Sequence, residues 1–276
     1  MTGTGTENDP YIVDNWEDFQ KLNFNSSYVK WADSENKIID FNDIMPEGYT
    51  ETVNFNGYFI DFNGWTFKNF HSTADIVIGG NVSQIKNLIF KDFYIFSAGE
   101  INCIFNAVLE NCVISGVITA EKATFTHDNI TDSALNLKIT LKNDFTLVKV
   151  SGGNSGTTTR YITGSKINID ILSSYFIIGN AEYYDTKFYA DNNIFTGKMT
   201  FTGNKAITLQ GGNYNIFALK SNYVFLYQGS GLSLYNSELA HKNTKSTDVF
   251  IGCTTKQLKD PAYLYNSGFP AGVSDD

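Results

Sequence analysis

Phe67-Lys68-Asn69-Phe70 returns 23 residues later as Phe90-Lys91-Asp92-Phe93, and the same slots recur 24 residues on as Ile114-Ser115-Gly116-Val117. Just upstream, Asn63, Asn87 and Asn111 keep a spacing of 24, as do Ile85 and Leu109. A repeat of this length holds about three short strands, the size of one coil of a parallel β-helix. In such a solenoid each coil pairs its backbone with the coils above and below, and alternate residues stack inward as one apolar column. Asparagine at equivalent turn positions then forms a side-chain amide ladder and tolerates the left-handed backbone of a tight turn. Leucine-rich repeats share the period, but their frame of spaced leucines is missing. A β-sandwich or jelly roll would show alternation without this register.

Beyond residue 120 the period loosens while the texture persists. Alternating segments recur at Leu135-Asn136-Leu137-Lys138-Ile139, Ile167-Asn168-Ile169-Asp170-Ile171, Thr186-Lys187-Phe188-Tyr189, Ala206-Ile207-Thr208-Leu209 and Leu232-Ser233-Leu234-Tyr235. Gly179-Asn180, Asp191-Asn192-Asn193 and Gly211-Gly212-Asn213 punctuate them. The solenoid is expected over residues 38–252. Its coils number about nine and stack into a rod roughly 40 Å long at about 4.8 Å per coil.

Both ends read differently from the middle. Residues 1–37 hold a first strand and a short amphipathic helix over Asp14–Leu22, with Asp14 or Asn15 as N-cap and Glu17 placed to complete a capping box. Trp16, Phe19 and Leu22 share its apolar face, as a lid on the first coil requires. Residues 253–276 carry two prolines among clustered aromatics, an irregular segment expected to close the solenoid or dock rather than extend it.

Composition agrees with an all-β chain. Of 276 residues 42% are hydrophobic and 15% aromatic, while only 18% are charged, against roughly 25% in an ordinary soluble domain. Thirty asparagines, with Ser, Thr and Gly, supply the polar surface. Such residues compete with helical hydrogen bonding, and the aromatic and β-branched ones suit a pleated sheet. The net charge is −9, and Arg160 is the only arginine. Phosphate backbones call for clustered Lys and Arg, so nucleic acid is not an expected partner. No apolar stretch approaches the length needed to cross a bilayer, so no membrane insertion is expected. The opening Met1-Thr2-Gly3-Thr4-Gly5-Thr6 has neither a basic region nor an apolar core, so no secretory signal is read there. Cys103, Cys112 and Cys253 fit neither a disulfide framework nor a zinc site, and Cys112 reads as a small core residue.

Gly3-Thr4-Gly5-Thr6-Glu7-Asn8-Asp9-Pro10-Tyr11-Ile12-Val13, followed by Trp16-Glu17-Asp18-Phe19, resembles the opening of a broad class of right-handed parallel β-helix proteins. Tyr28-Val29-Lys30-Trp31 and Ile38-Ile39-Asp40-Phe41-Asn42-Asp43 look like that class's first strands. The stretch from Gly57 to Phe70 looks like its "I-D-G-N-G-W-T-I-x-N-L" coil. Such chains occur in bacteriophage virion appendages and in bacterial surface proteins, and the C-terminal segment from Asp260 to Gly272, DPAYLYNSGFPAG, also looks phage-like. The resemblance covers residues 1–70 closely, and 71–250 in texture. It implies a right-handed, single-stranded parallel β-helix and a virion role as head fibre, spike or tail appendage.

Many proteins of this fold cleave polysaccharides, so the carboxylates deserve inspection. Glycoside hydrolysis needs two of them flanking the scissile bond, about 5–5.5 or 6.5–9.5 Å apart. Neighbouring coils can supply such a pair. The densest group is Glu182, Asp185 and Asp191 among Tyr183, Tyr184 and Tyr189, whose rings suit sugars. These six residues are the candidate carbohydrate contacts. No catalytic residue is assigned, because the Asp and Arg-Lys motifs of pectin-degrading hydrolases are missing and one arginine is too few for a uronate lyase. His71, His127 and His241 fall at unrelated spacings, and Gly152-Gly153-Asn154-Ser155-Gly156 lacks the Asp of a calcium-binding coil. Neither a metal nor a cofactor is expected. Trp65 is expected to pack at a corner rather than to serve as a sugar platform.

The sequence therefore favours a structural or adhesive virion protein, made in the host cytoplasm, that meets other virion proteins and host surface polysaccharide. A single-file interior looks too narrow for 41 aromatic residues. Outward ones suit a homo-oligomer, a trimer by analogy with fibres of this fold. The alternatives are a polysaccharide depolymerase and a bacterial surface adhesin.

Overall fold

The computed structural model describes residues 1–22, 27–44, 52–55, 57–79, 82–150, 158–181, 186–202, 207–209, 215–221, 225–227, 233–238 and 250–269. One coil shows the plan. Val108–Glu110 lies in a first sheet, Val113–Ala120 in a second and Lys122–Thr126 in a third. Ile130–Thr131 then returns to the first sheet beside Val108–Glu110, in parallel. Among the described residues, repetition of this circuit builds three parallel sheets of eight, eleven and nine strands. The chain is an all-β parallel β-helix. The first sheet already begins at Tyr11–Val13 and Tyr28–Trp31, and it runs to Thr186–Asp191.

Alternation decides which side chains go inside. Lys166–Ser173 buries every second residue, and so does most of Ala134–Leu141. In register, Ile60, Ile85, Leu109, Ile130 and Ile162 stack as one buried column of the first sheet. Phe67, Phe90, Ile114, Leu135, Ile167, Phe195 and Phe217 form another in the second. Each such side chain contributes about 1.5–3 kcal/mol by leaving water. Among phenylalanines whose side chains are described, only Phe59 and Phe96 escape burial. The interior is thus wider than the sequence suggested, and the exposed aromatics are mostly tyrosines.

The turn between first and second sheets carries the asparagine signal. Asn63, Asn87 and Asn111 have φ of 51°, 55° and 51°, and the column continues through Asp132 (48°), Gly164 (63°) and Asn192 (57°). All occupy the left-handed region that Asn, Asp and Gly tolerate best. Asn111 Nδ2 donates to Asn87 Oδ1 at 2.7 Å, while Asn87 Nδ2 turns to Asp61 Oδ1 at 2.8 Å instead of to Asn63. At Gly164 a Cβ would stand 2.2 Å from Asp132 Oδ1, so a larger residue in this rung requires the Asp132 carboxylate to turn aside.

One alignment read from sequence is corrected. Phe93 lies opposite Gly116, not Val117, because the register shifts between Phe90 and Phe93. Asp92, at φ 54°, adds the extra residue that makes the bulge. Gly116 is required beneath it, since a Cβ there would come within 2.4 Å of the buried Phe93 ring.

Next to the left-handed column runs a second, buried ladder. Side-chain oxygens of Ser133, Ser165, Asn193, Asn215 and Ser233 accept from backbone amides of Cys112, Ser133, Ser165, Asn193 and Asn215 in turn, at 3.0–3.4 Å. All five residues are at most 2% exposed. Unpaired polar groups here would be costly, and the ladder satisfies them coil by coil.

The two ends are covered differently. The helix Trp16–Gln20 starts at Asn15, whose side chain accepts from the Asp18 amide. Glu17, expected to complete the capping box, instead pairs with Lys21 at 2.9 Å. Trp16 meets Phe41, Phe55 and Phe67, and Phe19 meets Trp31, Phe55 and Phe62, so the helix is a lid on the first coil. The C-terminal segment, expected to be irregular, contains two short helices, Thr255–Leu258 and Pro261–Asn266. Leu258, Leu264 and Phe269 pack on Ile194, Ile216 and Leu234, whose chain neighbours Phe195, Phe217 and Tyr235 belong to the interior. The segment therefore lies on the outer face of the second sheet.

Candidate functional site: the outer face of the first sheet

Because inward residues of the first sheet form the Ile60–Ile162 column, the residues on either side of it point outward in two rows. Tyr28, Phe59, Gln84 and Val108 follow one another in the first row, and Tyr161 and Tyr189 pair further along it. The second row reads Lys30, Asp61, Lys86, Glu110, Thr131, Thr163, Asp191.

Of the six sequence candidates, Glu182, Tyr183, Tyr184 and Asp185 lie outside the described residues. Tyr189 and Asp191 are on Thr186–Asp191, with Phe188 and Ala190 buried between and beside them. Tyr189 sits opposite Tyr161, and the two are 42% and 40% exposed. Asp191 sits opposite Thr163. The backbone around Tyr161 is held by Asn129, whose Oδ1 accepts from the Tyr161 amide at 2.9 Å. The result is two exposed tyrosines at neighbouring strand positions, with Thr163 and Asp191 paired two residues further along the same strands.

The opposite end of this face holds a groove that sequence reading missed. Tyr28 and Phe59 stack with centroids 4.7 Å apart and planes inclined by 23°. Beside them a groove of about 570 Å³ is lined by Lys30, Asp61, Gln84 and Lys86, with Glu7 and Pro10 also in its lining. Three of its polar groups, Asp61, Gln84 and Lys86, are held in place. Asp61 Oδ1 accepts from the Asn63 amide and from Asn87 Nδ2, both at 2.8 Å. Glu110 takes Lys86 at 2.9 Å and Gln84 Nε2 at 2.6 Å. The signal was present in Tyr28-Val29-Lys30 and Phe59-Ile60-Asp61, where an aromatic and a charge flank an inward aliphatic.

Other groups singled out by sequence go elsewhere. Trp65 is buried at a corner, its Nε1 donating to the Ala32 carbonyl at 2.8 Å and its ring 4.8 Å from Trp31. His71 is exposed beside the Tyr94 ring, and His241 and residues 152–156 lie outside the described residues. Burial pushes the thiols of Cys103 and Cys112 up to about 12, so neither is a nucleophile at neutral pH. Among the described residues no His, Cys, Asp and Glu group could hold a metal, and no helix is long and apolar enough to cross a membrane.

Fold and site together define a parallel β-solenoid whose first sheet carries aromatic and polar rows on its outer surface. No family model, curated protein or solved structure matches the chain.

Proposed function

We propose that the chain is a structural and adhesive component of a bacteriophage virion, a head fibre, spike or tail appendage, whose first sheet contacts host surface polysaccharide. The observation that carries the glycan contact is the register of Tyr161 with Tyr189, which sets two exposed tyrosines at neighbouring strand positions on the outer face of the first sheet. Exposed tyrosine rings offer apolar surface to the C–H faces of sugars, and Thr163 and Asp191 on the same strands offer hydrogen bonds. The virion setting is supported by the resemblance of residues 1–70 to a broad class of right-handed parallel β-helix proteins that occurs in phage appendages and also in bacterial surface proteins. The protein is expected to be retained on immobilised host surface polysaccharide, and the polymer to keep its length. A double variant, Tyr161→Ala with Tyr189→Ala, is expected to lose roughly tenfold in affinity. Undiminished retention of that variant, or shortening of the polymer, contradicts the reading.

The same reading makes the chain a homo-oligomer, a trimer in the form we favour. Tyr94, Phe96, Val113 and Leu172, each 40–45% exposed, all lie on the outer face of the second sheet. Phe96→Asp is expected to shift the sedimenting species toward monomer; a wild-type chain that sediments as monomer at high concentration contradicts it.

A further inference from the structure

We infer that the groove beside Tyr28 and Phe59 binds an uncharged glycan. This rests on the reading that the first sheet meets sugars, and adds a second site with a stated ligand class. The first consideration is shape. The groove lies between the two outward rows, with Tyr28, Phe59 and Gln84 along one side and Lys30, Asp61 and Lys86 along the other. Val29 and Ile60, whose side chains are buried in the core, also line it, so its base is sheet backbone. Its volume, about 570 Å³, falls within the range of small-ligand pockets, roughly 300–1,000 Å³.

The second consideration is charge. Glu7 and Asp61 balance Lys30 and Lys86 along the lining, and Lys86 is further offset by Glu110. A uronate or a phosphate placed here meets the carboxylates of Glu7 and Asp61. A cation meets the two ammonium groups. Like-charge contacts of that kind select against either. A purely apolar ligand would strip water from four charged groups without replacing it.

The third consideration is hydrogen bonding. Lys30 can only donate, Asp61 and Glu7 can only accept, and the Gln84 amide does both. Vicinal hydroxyls match such a mixture, since each both gives and takes a hydrogen bond. The Tyr28–Phe59 stack supplies the apolar wall that a pyranose C–H surface needs. A peptide is less well served, because Tyr28–Trp31 and Phe59–Asp61 already have strand partners on both sides and offer no free edge to a new strand.

Saturation-transfer NMR on the full chain tests the assignment. The probes are methyl glycosides of glucose, galactose, mannose and N-acetylglucosamine, with glucuronate, glucose 6-phosphate and a neutral peptide for comparison. At least one neutral glycoside is expected to bind in the millimolar range, and the charged sugars and the peptide at least tenfold more weakly. Phe59→Ala and Lys30→Met, each checked for an unchanged circular dichroism spectrum, are expected to weaken the neutral sugar roughly tenfold. Tyr265→Ala, which removes an exposed ring on the C-terminal helix Pro261–Asn266 away from both sugar sites, is expected to leave this monosaccharide signal in place. The inference is overturned if no neutral glycoside binds, if charged sugars or the peptide bind as well, or if both groove variants bind like wild type. If the groove is silent while the Tyr161/Tyr189 variant still loses polysaccharide retention, the adhesive reading stands and only the groove assignment falls.

Discussion

Asn193→Leu is expected to lower the unfolding free energy by about 2–4 kcal/mol, read by denaturant titration. Asn193 is fully buried and works in both directions along the ladder. Its Oδ1 accepts from the Ser165 amide at 3.0 Å, and its Nδ2 donates to the Ile162 carbonyl at 2.9 Å and to Asn215 Oδ1 at 3.0 Å. Leucine fills much the same volume but leaves the Ser165 N–H without that acceptor in a place closed to water. The lost hydrogen bonds outweigh the gain from a more apolar side chain. Asn168 gives the contrast, for it bonds Asn136 on the next coil at 2.9 Å but on the exposed outer surface. Asn168→Ala is expected to change stability by less than about 0.5 kcal/mol, because water replaces the lost partner. Equal effects at the two positions would contradict a stabilising role for the buried ladder.

Phe19→Ala is expected to cost about 3–5 kcal/mol, the range for emptying a large buried ring site. The ring is fully buried and within 6.0 Å, centroid to centroid, of Trp16, Trp31, Phe55 and Phe62. Its loss opens a cavity between the lid and the first coil. Because that lid covers the end of a parallel stack, the variant is also expected to aggregate on mild heating, measured by light scattering. A variant within 1 kcal/mol of wild type that stays dispersed would show that the helix is not what closes this end.

The solenoid was legible because Asn63, Asn87 and Asn111 repeat one residue type at one interval in coils of near-equal length. Further along, the same left-handed position is filled by Asp132, Gly164 and Asn192, at intervals of 21, 32 and 28 residues. The backbone requires a conformation, not a residue type, and strands and loops of different length absorb the changing interval. That is why the period faded from view while the structure continued. The slip at Phe93 has a related cause, for a bulge adds one residue without altering the local pattern of apolar side chains. The buried ladder was hidden because Ser133, Ser165 and Asn193 stand directly after the turn residues Asp132, Gly164 and Asn192, where polar residues are ordinary, and Asn193 read as punctuation. Only the register shows that they stack inside.

The candidate site was legible in part. Tyr189 and Asp191 were found because they cluster in sequence, but Tyr161 and Thr163, their lateral neighbours, stand 28 residues earlier with no period to align them. Tyr28, Phe59 and Gln84 are adjacent only through strand pairing across intervals of 31 and 25 residues. A sheet surface assembles its chemistry across coils, so a window along the chain sees one residue of it at a time.

Hydroxyl-radical footprinting in the presence of host surface polysaccharide tests the central claim most directly, because it reports the working face residue by residue. Tyr28, Tyr161 and Tyr189 are predicted to be protected when polysaccharide binds, while oxidation of Tyr94 and Phe96 on the second sheet stays the same with and without it. Protection of Tyr94 and Phe96 in their place, or no protection of the first-sheet tyrosines under conditions where the protein is bound, would contradict the account.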